Sequence, residues 1–214
     1  MQHIARGLAL RIDEAQAQAL LRHLALLERW NQTYNLTAVR DGAAMRVQHL
    51  ADCLAAVPPL QRWLDARPPG SAPARLLDVG SGGGLPGVPL AVMLPGVQVT
   101  CVDTVAKKVA FLRQVAGELH LPNLQAVQGR VEMLRLTPFD LVTSRAFASL
   151  ADFVRWTGRL LAPEGVWVAM KGRRPDDEIA RLPPEIEMFH VEPLCVPGLE
   201  AERCLVWMRP RSAT

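Results

Sequence analysis

The sequence has few cysteines, and nothing in it pairs them around a metal. Only Cys53, Cys101, Cys195 and Cys204 occur in 214 residues; they form no C-x-x-C pair, and no histidine stands at ligand spacing from any of them. Reduced cysteine in a protein without a metal is therefore expected. Cys195 and Cys204 would face each other across a hairpin and are expected as two small core residues rather than a disulfide. A continuous apolar run is also missing. The uncharged stretch 79–102 has membrane-span length, yet it holds six glycines and three prolines, so it reads as strand, loop, helix and second strand rather than a span. The opening residues, Met1 to Leu8, lack the apolar stretch of a signal peptide, and a cytoplasmic protein is expected. There is no Ser-His-Asp order around a nucleophile elbow, no metal-ligand cluster, no internal repeat and no long disordered tract. Serine hydrolases, metalloenzymes and repeat scaffolds fall away on these grounds.

What remains is an ordinary globular composition, half apolar and about a fifth charged, long enough for one good core or one domain with an appendage. The net charge of +3 is unevenly placed. Residues 1–75 carry nine arginines against six acids, whereas residues 76–214 carry fifteen basic and fifteen acidic groups. A basic excess on one segment suits a polyanionic partner.

The chain is organised around Arg75-Leu-Leu-Asp-Val-Gly-Ser-Gly-Gly-Gly-Leu-Pro-Gly87. Leu76 to Val79 are apolar except for one acid, and four glycines follow within five residues. That is a buried strand breaking into a tight loop, where glycine permits positive φ and lets a ligand approach the main chain. Two ligand classes fit. Gly82-Gly-Gly84-Leu-Pro-Gly87 satisfies the dinucleotide pattern G-x-G-x-x-G, with Asp103 lying 19 residues beyond Gly84 as a ribose-binding acid. A nucleotide-dependent oxidoreductase is the reading that follows. The other pattern, Asp78-x-Gly80-x-Gly82-x-Gly84, resembles the first motif of Rossmann-like S-adenosylmethionine-dependent methyltransferases. Pro86 and Pro89 favour the second: each fits a first helical turn, and each removes an N–H that a pyrophosphate would need. A non-catalytic cofactor-binding sensor or assembly factor is a third possibility.

Before the glycine loop the chain reads as helical. Asp13-Glu14 opens an amphipathic helix with Ala17, Leu20, Leu21, Leu24, Leu27 and Trp30 on its apolar side, and the amide and hydroxyl side chains of residues 30–37 are expected to interrupt it. A second helix runs from Asp41-Gly42 to about Val57, ended by Pro58-Pro59. Residues 1–66 are thus an N-terminal helical extension, 67–74 a linker rich in Pro, Gly, Ala and Ser, and 75–214 the main domain. In that domain strands are expected at 76–79, 98–102, 124–127, 139–143 and 166–170, with helices at 85–94, 107–119, 150–161 and near 176–182. Residues 187–196 and 203–208 read as a closing hairpin. The alternation predicts an α/β fold, a doubly wound, mostly parallel sheet with a C-terminal antiparallel hairpin.

Ligands in such sheets sit beyond the carboxyl ends of the strands. Gly80 to Leu85 would wrap the cofactor's amino-acid end and ribose, Asp103 would accept from ribose hydroxyls, and Val131-Glu132 would lie near the adenine. Arg145, ending the strand 139–143, could grip a carboxylate or phosphate through its fork of donors, and Lys171 is a second basic group on the same rim. No Asn-Pro-Pro-Tyr-type tetrapeptide is present to hold an exocyclic amine. A ring nitrogen such as guanine N7 attacks a sulfonium methyl without a general base, so orientation and desolvation can carry most of the rate.

Several segments together resemble one family. Trp30-Asn-Gln-Thr-Tyr-Asn-Leu-Thr37, His49-Leu-Ala-Asp-Cys-Leu54, Asp78-Val-Gly-Ser-Gly-Gly-Gly-Leu-Pro-Gly87 and Ser144-Arg-Ala-Phe-Ala-Ser-Leu150 are similar to the signature segments of small-subunit ribosomal RNA methyltransferase G, also called glucose-inhibited division protein B. The similarity runs from about Ala19 to Met208, with Cys53 where a serine is usual. The resemblance implies a Rossmann-like class I methyltransferase that moves a methyl group from S-adenosylmethionine to guanine N7 in 16S ribosomal RNA. It implies cofactor contacts at Gly80, Leu85, Val131, Glu132 and Arg145, with Asp103 close by; the glycine motif's own Asp78, Gly82 and Gly84 are expected beside them, and Arg145 is expected to position the reactants where no general base is needed. The expected partner is the small-subunit ribosomal RNA or the assembling subunit, bound by a monomer. Arg29, Arg40, Arg46 and Lys171 are candidates for its phosphates, Lys171 reading more readily as a solvated rim lysine; Trp30 or Tyr34 could stack on a base, with core packing against the second domain the favoured reading of both aromatics. His49 and Asp52 read either as an interdomain pair or as part of the substrate pocket.

Overall fold

A computed structural model describes residues 1–37, 39 and 42–211, apart from the side chains of Gly42 and Ala43. Arg40, one of the expected phosphate contacts, lies outside the described residues. After α1 (Gln2–Gly7), the helix α2 (Glu14–Tyr34) begins with a capping box in which Asp13 and Gln16 each accept the other's backbone amide. Leu20, Leu24 and Leu27 are buried as their spacing predicts, but Leu21 is 40% exposed. Residues 30–34 do not interrupt α2. It ends only at Asn35, whose φ of 50° is left-handed. The polar run there serves the loop after the helix: buried Asn31 accepts from the Thr37 amide and donates to the Val39 carbonyl.

The next segment is broken into short pieces: α3 (Gly42–Met45), a π-helix over Arg46–Ala51, α4 (Asp52–Ala55) and α5 (Val57–Asp65). Here the expectation fails, because Pro58 and Pro59 start a helix rather than end one. They occupy the first turn of α5, where the missing N–H groups have no intrahelical partner.

From Arg75 the expected alternation holds: β1 (Arg75–Val79), α6 (Gly87–Met93), β2 (Gln98–Asp103), α7 (Ala106–Glu118), β3 (Leu124–Gln128), β4 (Phe139–Arg145), α8 (Leu150–Thr157), β5 (Leu161–Lys171), α9 (Asp176–Ile179), β6 (Ile186–Pro193) and β7 (Cys204–Pro210). Helix α8 gives way to a 3₁₀ turn at Gly158–Leu160, so β5 begins five residues earlier than its apolar core at 166–170 implied. The sheet order is β3-β2-β1-β4-β5-β7-β6, parallel except for β7 against β5 and β6. Strand order reverses between β1 and β4, which opens a crevice beyond their carboxyl ends.

Alternation along β1 sends Leu76 to one face and Leu77 and Val79 to the other. On the first face a single apolar cluster joins Leu20, Leu24 and Leu27 of α2 to Leu76, Val88 and Phe111. The second face, with α8, holds Phe139, Phe153 and Trp167. The helical extension therefore shares a core with the sheet. Among the cysteines, all free, Cys53, Cys101 and Cys204 are buried and Cys195 is exposed, so the expectation of two core cysteines across the hairpin is half met. No described helix is long and apolar enough to cross a membrane.

Candidate functional site

Two cavities lie at the carboxyl edge of the sheet. The larger, about 560 Å³, is bounded by Thr37, His49, Asp52, Gly80 to Gly83, Leu85, Arg145, Lys171 and Arg203. The smaller, about 330 Å³, is bounded by Asp103, Thr104, Val131, Glu132, Phe147 and Trp156. Gly80, Lys108 and Ala146 belong to both walls, so the two form one trough across the ends of β1, β2 and β4.

The loop between β1 and α6 is set by its glycines. Gly80, Gly82 and Gly84 have φ of 72°, 54° and 79°, which L side chains rarely adopt. A Cβ on Gly80 would also stand 2.6 Å from the Phe147 ring. Most of the loop's amides are already engaged: Gly80 and Ser81 donate to the Val102 carbonyl, Gly84 and Leu85 to the Ser81 carbonyl, Gly82 to Asp103, Gly87 to Asp78 and Val88 to the Gly84 carbonyl. Pro86 and Pro89 offer none. Of this run only the Gly83 amide is left without an acceptor, too few donors to cradle a pyrophosphate, which tells against the dinucleotide reading.

Asp78 lies beneath the loop rather than in the trough. It is fully buried, accepts from the Gly87 amide at 3.0 Å, and its pKa is raised from 3.8 to about 6 by burial, which outweighs hydrogen bonds from Ser81 and Gly87. Asp103 does reach the trough. One oxygen accepts from Gly82 at 3.0 Å, the other from Val105 at 2.9 Å, and Lys108 sits 3.6 Å away, so this carboxylate braces both the glycine loop and the start of α7. Val131 is buried at the wall, and Glu132 beside it pairs with Arg130 at 2.6 Å. The backbone and Arg130 bonds of Glu132 lower its pKa, its own backbone contributing most.

Arg145 is the hub of the larger cavity. Its guanidinium donates to Asp52 at 3.0 Å, to the Gln48 carbonyl at 3.0 Å and towards His49 Nδ1 at 3.4 Å. Burial works against its charge, but the neighbouring Cys53 and Asp52 more than offset this and raise its pKa. Asp52 is also gripped by Arg203 at 2.8 Å, and His49 Nε2 lies 2.7 Å from the Thr37 hydroxyl. Burial, then the Arg145 cation, lowers the pKa of His49, consistent with a neutral ring that donates to Thr37. Gln48 lies in the π-helix over Arg46–Ala51, and this element sets its carbonyl against the Arg145 guanidinium. His49 and Asp52 each contact Arg145, which ties the extension to β4, and both line the larger cavity.

Lys171 lines the same cavity, yet its ammonium is held by Glu178 at 2.8 Å and by the Ala148 carbonyl at 3.2 Å. Arg29 and Arg46 are exposed on the extension. Trp30 packs on Phe111 and Tyr34, with Tyr34 40% exposed. Sequence reasoning missed Arg203, Lys108, Phe147 and above all His23, which is fully buried in α2 with Nε2 2.8 Å from the Gly83 carbonyl. Its spacing from Leu20 and Leu27 places it on the apolar face of α2, a signal that was available.

The family model for rRNA small subunit methyltransferase G matches residues 16–206. The chain belongs to this family. Proteins named ribosomal RNA small subunit methyltransferase G from Acidovorax ebreus and Leptothrix cholodnii are 59% and 60% identical to it, over 96% and 97% of this chain and 92% and 93% of theirs. Among solved structures, TrmN from Thermus thermophilus superposes with a TM-score of 0.55 over 74% of this chain and 48% of that one at 22% identity. A mutant of MtNAS in complex with S-adenosylmethionine superposes with a TM-score of 0.59 over 93% and 73% at 14% identity. These likenesses concern the fold alone; this chain has the Rossmann-like class I methyltransferase fold, with its own C-terminal antiparallel hairpin and N-terminal helical extension. In this member of the methyltransferase G family, the glycine loop lies where the two cavities meet, at the carboxyl end of β1.

Proposed function

We propose that this methyltransferase G family member moves the methyl group of S-adenosylmethionine to N7 of a guanine in 16S ribosomal RNA. The observation that carries the reading is the single trough at the strand-order reversal, floored by positive-φ glycines and bearing an acid at the end of β2. Its wall fits the cofactor: bare Gly80 permits close approach, Leu85 and Val131 are apolar, and the Asp103 carboxylate stands where ribose hydroxyls can donate. Gly80, Gly82 and Leu85 would hold the amino-acid end and ribose, Val131 and Glu132 the adenine, and Arg145 the cofactor carboxylate, while Gly84, which lines neither cavity, would shape the loop from its core side.

S-adenosylmethionine supplies, when bound, a sulfonium methyl that a ring nitrogen with a free lone pair takes without giving up a proton. The site matches that economy. Its three acids are committed, Asp52 to Arg145 and Arg203, Asp103 to Gly82 and Val105, and Glu132 to Arg130, so none is poised as a base. Phe147 and Trp156 screen one side of the trough from water. The remaining contribution is alignment, which Arg145 provides by fixing Asp52 and His49 beside the glycine loop.

Residues 1–66 form the cap, 67–74 the link and 75–214 the methyltransferase domain. Arg29, Arg46 and Lys171 would meet RNA phosphates, Lys171 after exchanging Glu178 for phosphate. An enzyme of ribosomal RNA works in the cytoplasm, here as a monomer. Binding and transfer test the reading together. S-adenosylhomocysteine should bind in calorimetry where NAD does not, and labelled methyl should enter purified small subunits or their RNA, compared side by side with free guanosine. NAD binding without homocysteine-adduct binding would make the chain a nucleotide-dependent oxidoreductase. Cofactor binding without incorporation into any acceptor would make it a sensor.

A further inference from the structure

The glycine loop is not held by its own domain alone. Helix α2 reaches it through two residues one turn apart. His23 is completely buried, with Nε2 2.8 Å from the Gly83 carbonyl, and Leu27 lies so close that a Cβ on Gly83 would stand 2.7 Å from its Cδ1. Gly83 sits between Gly82 and Gly84, both at positive φ, so its backbone is flanked by the two most permissive residues in the loop. Inside the loop this peptide is tied at its amide end, where Gly84 donates to the Ser81 carbonyl at 2.8 Å; its carbonyl end is held from outside the loop, by His23. Its other ring nitrogen, Nδ1, is buried without a partner, so the ring gives up one hydrogen bond to make this one. A leucine would fill the site without leaving an orphaned nitrogen, and the polar ring therefore needs a reason.

We propose that His23 is a positioning residue for cofactor binding: its Nε2–H locks the Gly83 peptide, so that the helical extension sets the shape of the loop that receives S-adenosylmethionine. The inference rests on the cofactor reading above. His23 touches neither cavity, and it acts only through Gly83. The extension thereby gains a role in the chemistry that packing alone would not give it. Any movement that withdraws α2 also removes this hold on the Gly83 carbonyl.

Glutamine places its Nε2 close to where histidine places Nε2, whereas asparagine is a bond too short and leucine has no donor. The full chain carrying His23→Gln, His23→Asn and His23→Leu should be titrated with S-adenosylhomocysteine, and methyl transfer measured with varied S-adenosylmethionine. His23→Leu and His23→Asn are expected to weaken binding about tenfold, the worth of one hydrogen bond near the upper end of its range, and to raise KM for the cofactor while kcat stays within about twofold. His23→Gln should restore affinity to within about threefold of the parent. A residue that merely packs would give no such split between the two amides. If His23→Leu fails to fold, the glutamine and asparagine variants decide the matter between them. Equal affinity in those two, or parental affinity in the leucine variant, overturns the proposal. If the parent itself binds NAD and not the homocysteine adduct, the cofactor reading has failed instead.

Discussion

Replacing Asp78 by asparagine removes a buried charge while keeping an oxygen that can accept from the Gly87 amide. The native carboxyl has a pKa of about 6, against 3.8 as the ordinary value, chiefly because it is buried. The folded state thus holds that proton more tightly than the unfolded chain. The stability it contributes is complete below about pH 3.8 and is lost as the pH rises to about 6. The difference corresponds to about 3 kcal/mol. Asparagine does not titrate, so the variant should gain on the parent by about 2–3 kcal/mol between pH 4 and pH 7. His23 works in the opposite direction. Burial lowers its pKa from 6.5 to about 4, so the stability of its neutral form is lost as the pH falls between those values. The two slopes offset each other in the parent, and Asp78→Asn exposes that of His23. Urea unfolding followed by circular dichroism across that pH range measures the difference at each pH, where contributions of the other carboxylates cancel. A difference that stays flat, or that favours the parent as the pH rises, refutes the reasoning.

Arg145→Ala should abolish methyl transfer while leaving the fold intact by circular dichroism, with about 1–3 kcal/mol of stability lost because Asp52 keeps only Arg203; unchanged turnover removes Arg145 from the site. Asp103→Ala should weaken S-adenosylhomocysteine binding by about 1–3 kcal/mol in calorimetry, and full retention of affinity would make Asp103 only a brace for Gly82 and Val105. Gly80→Ala should lower stability by about 1–2 kcal/mol through its left-handed backbone and block cofactor entry by displacing Phe147. Adding Phe147→Ala should recover the steric part and not the backbone part, which thermal unfolding of the double variant reads directly.

The glycine loop and the sheet were legible because they rest on local signals. Leu76–Val79 followed by four glycines can hardly be anything but a strand and a tight turn, and apolar runs separated by helical spacing give the sheet order its elements. Arg145 was legible as a cleft residue for the same reason. Its partners were not, since Arg203 lies far along the chain at the closing hairpin, and Gln48 and Asp52 belong to the separate helical extension. Prolines 58 and 59 misled because the same residue type stops one helix and starts another, and only the neighbouring turns decide which. The reach of α2 to Gly83 depends on how two separate segments pack, which no local pattern encodes. Lys171 shows the converse limit: its place on the rim was readable, its engagement with Glu178 was not.

A crystal grown with S-adenosylhomocysteine addresses the central claim most directly. The account predicts one ligand spanning both cavities, its ribose hydroxyls on Asp103, its adenine beside Val131 and its amino-acid end over Gly80 near Arg145. Density confined to one cavity, or a ligand whose ribose lies away from Asp103, would contradict it.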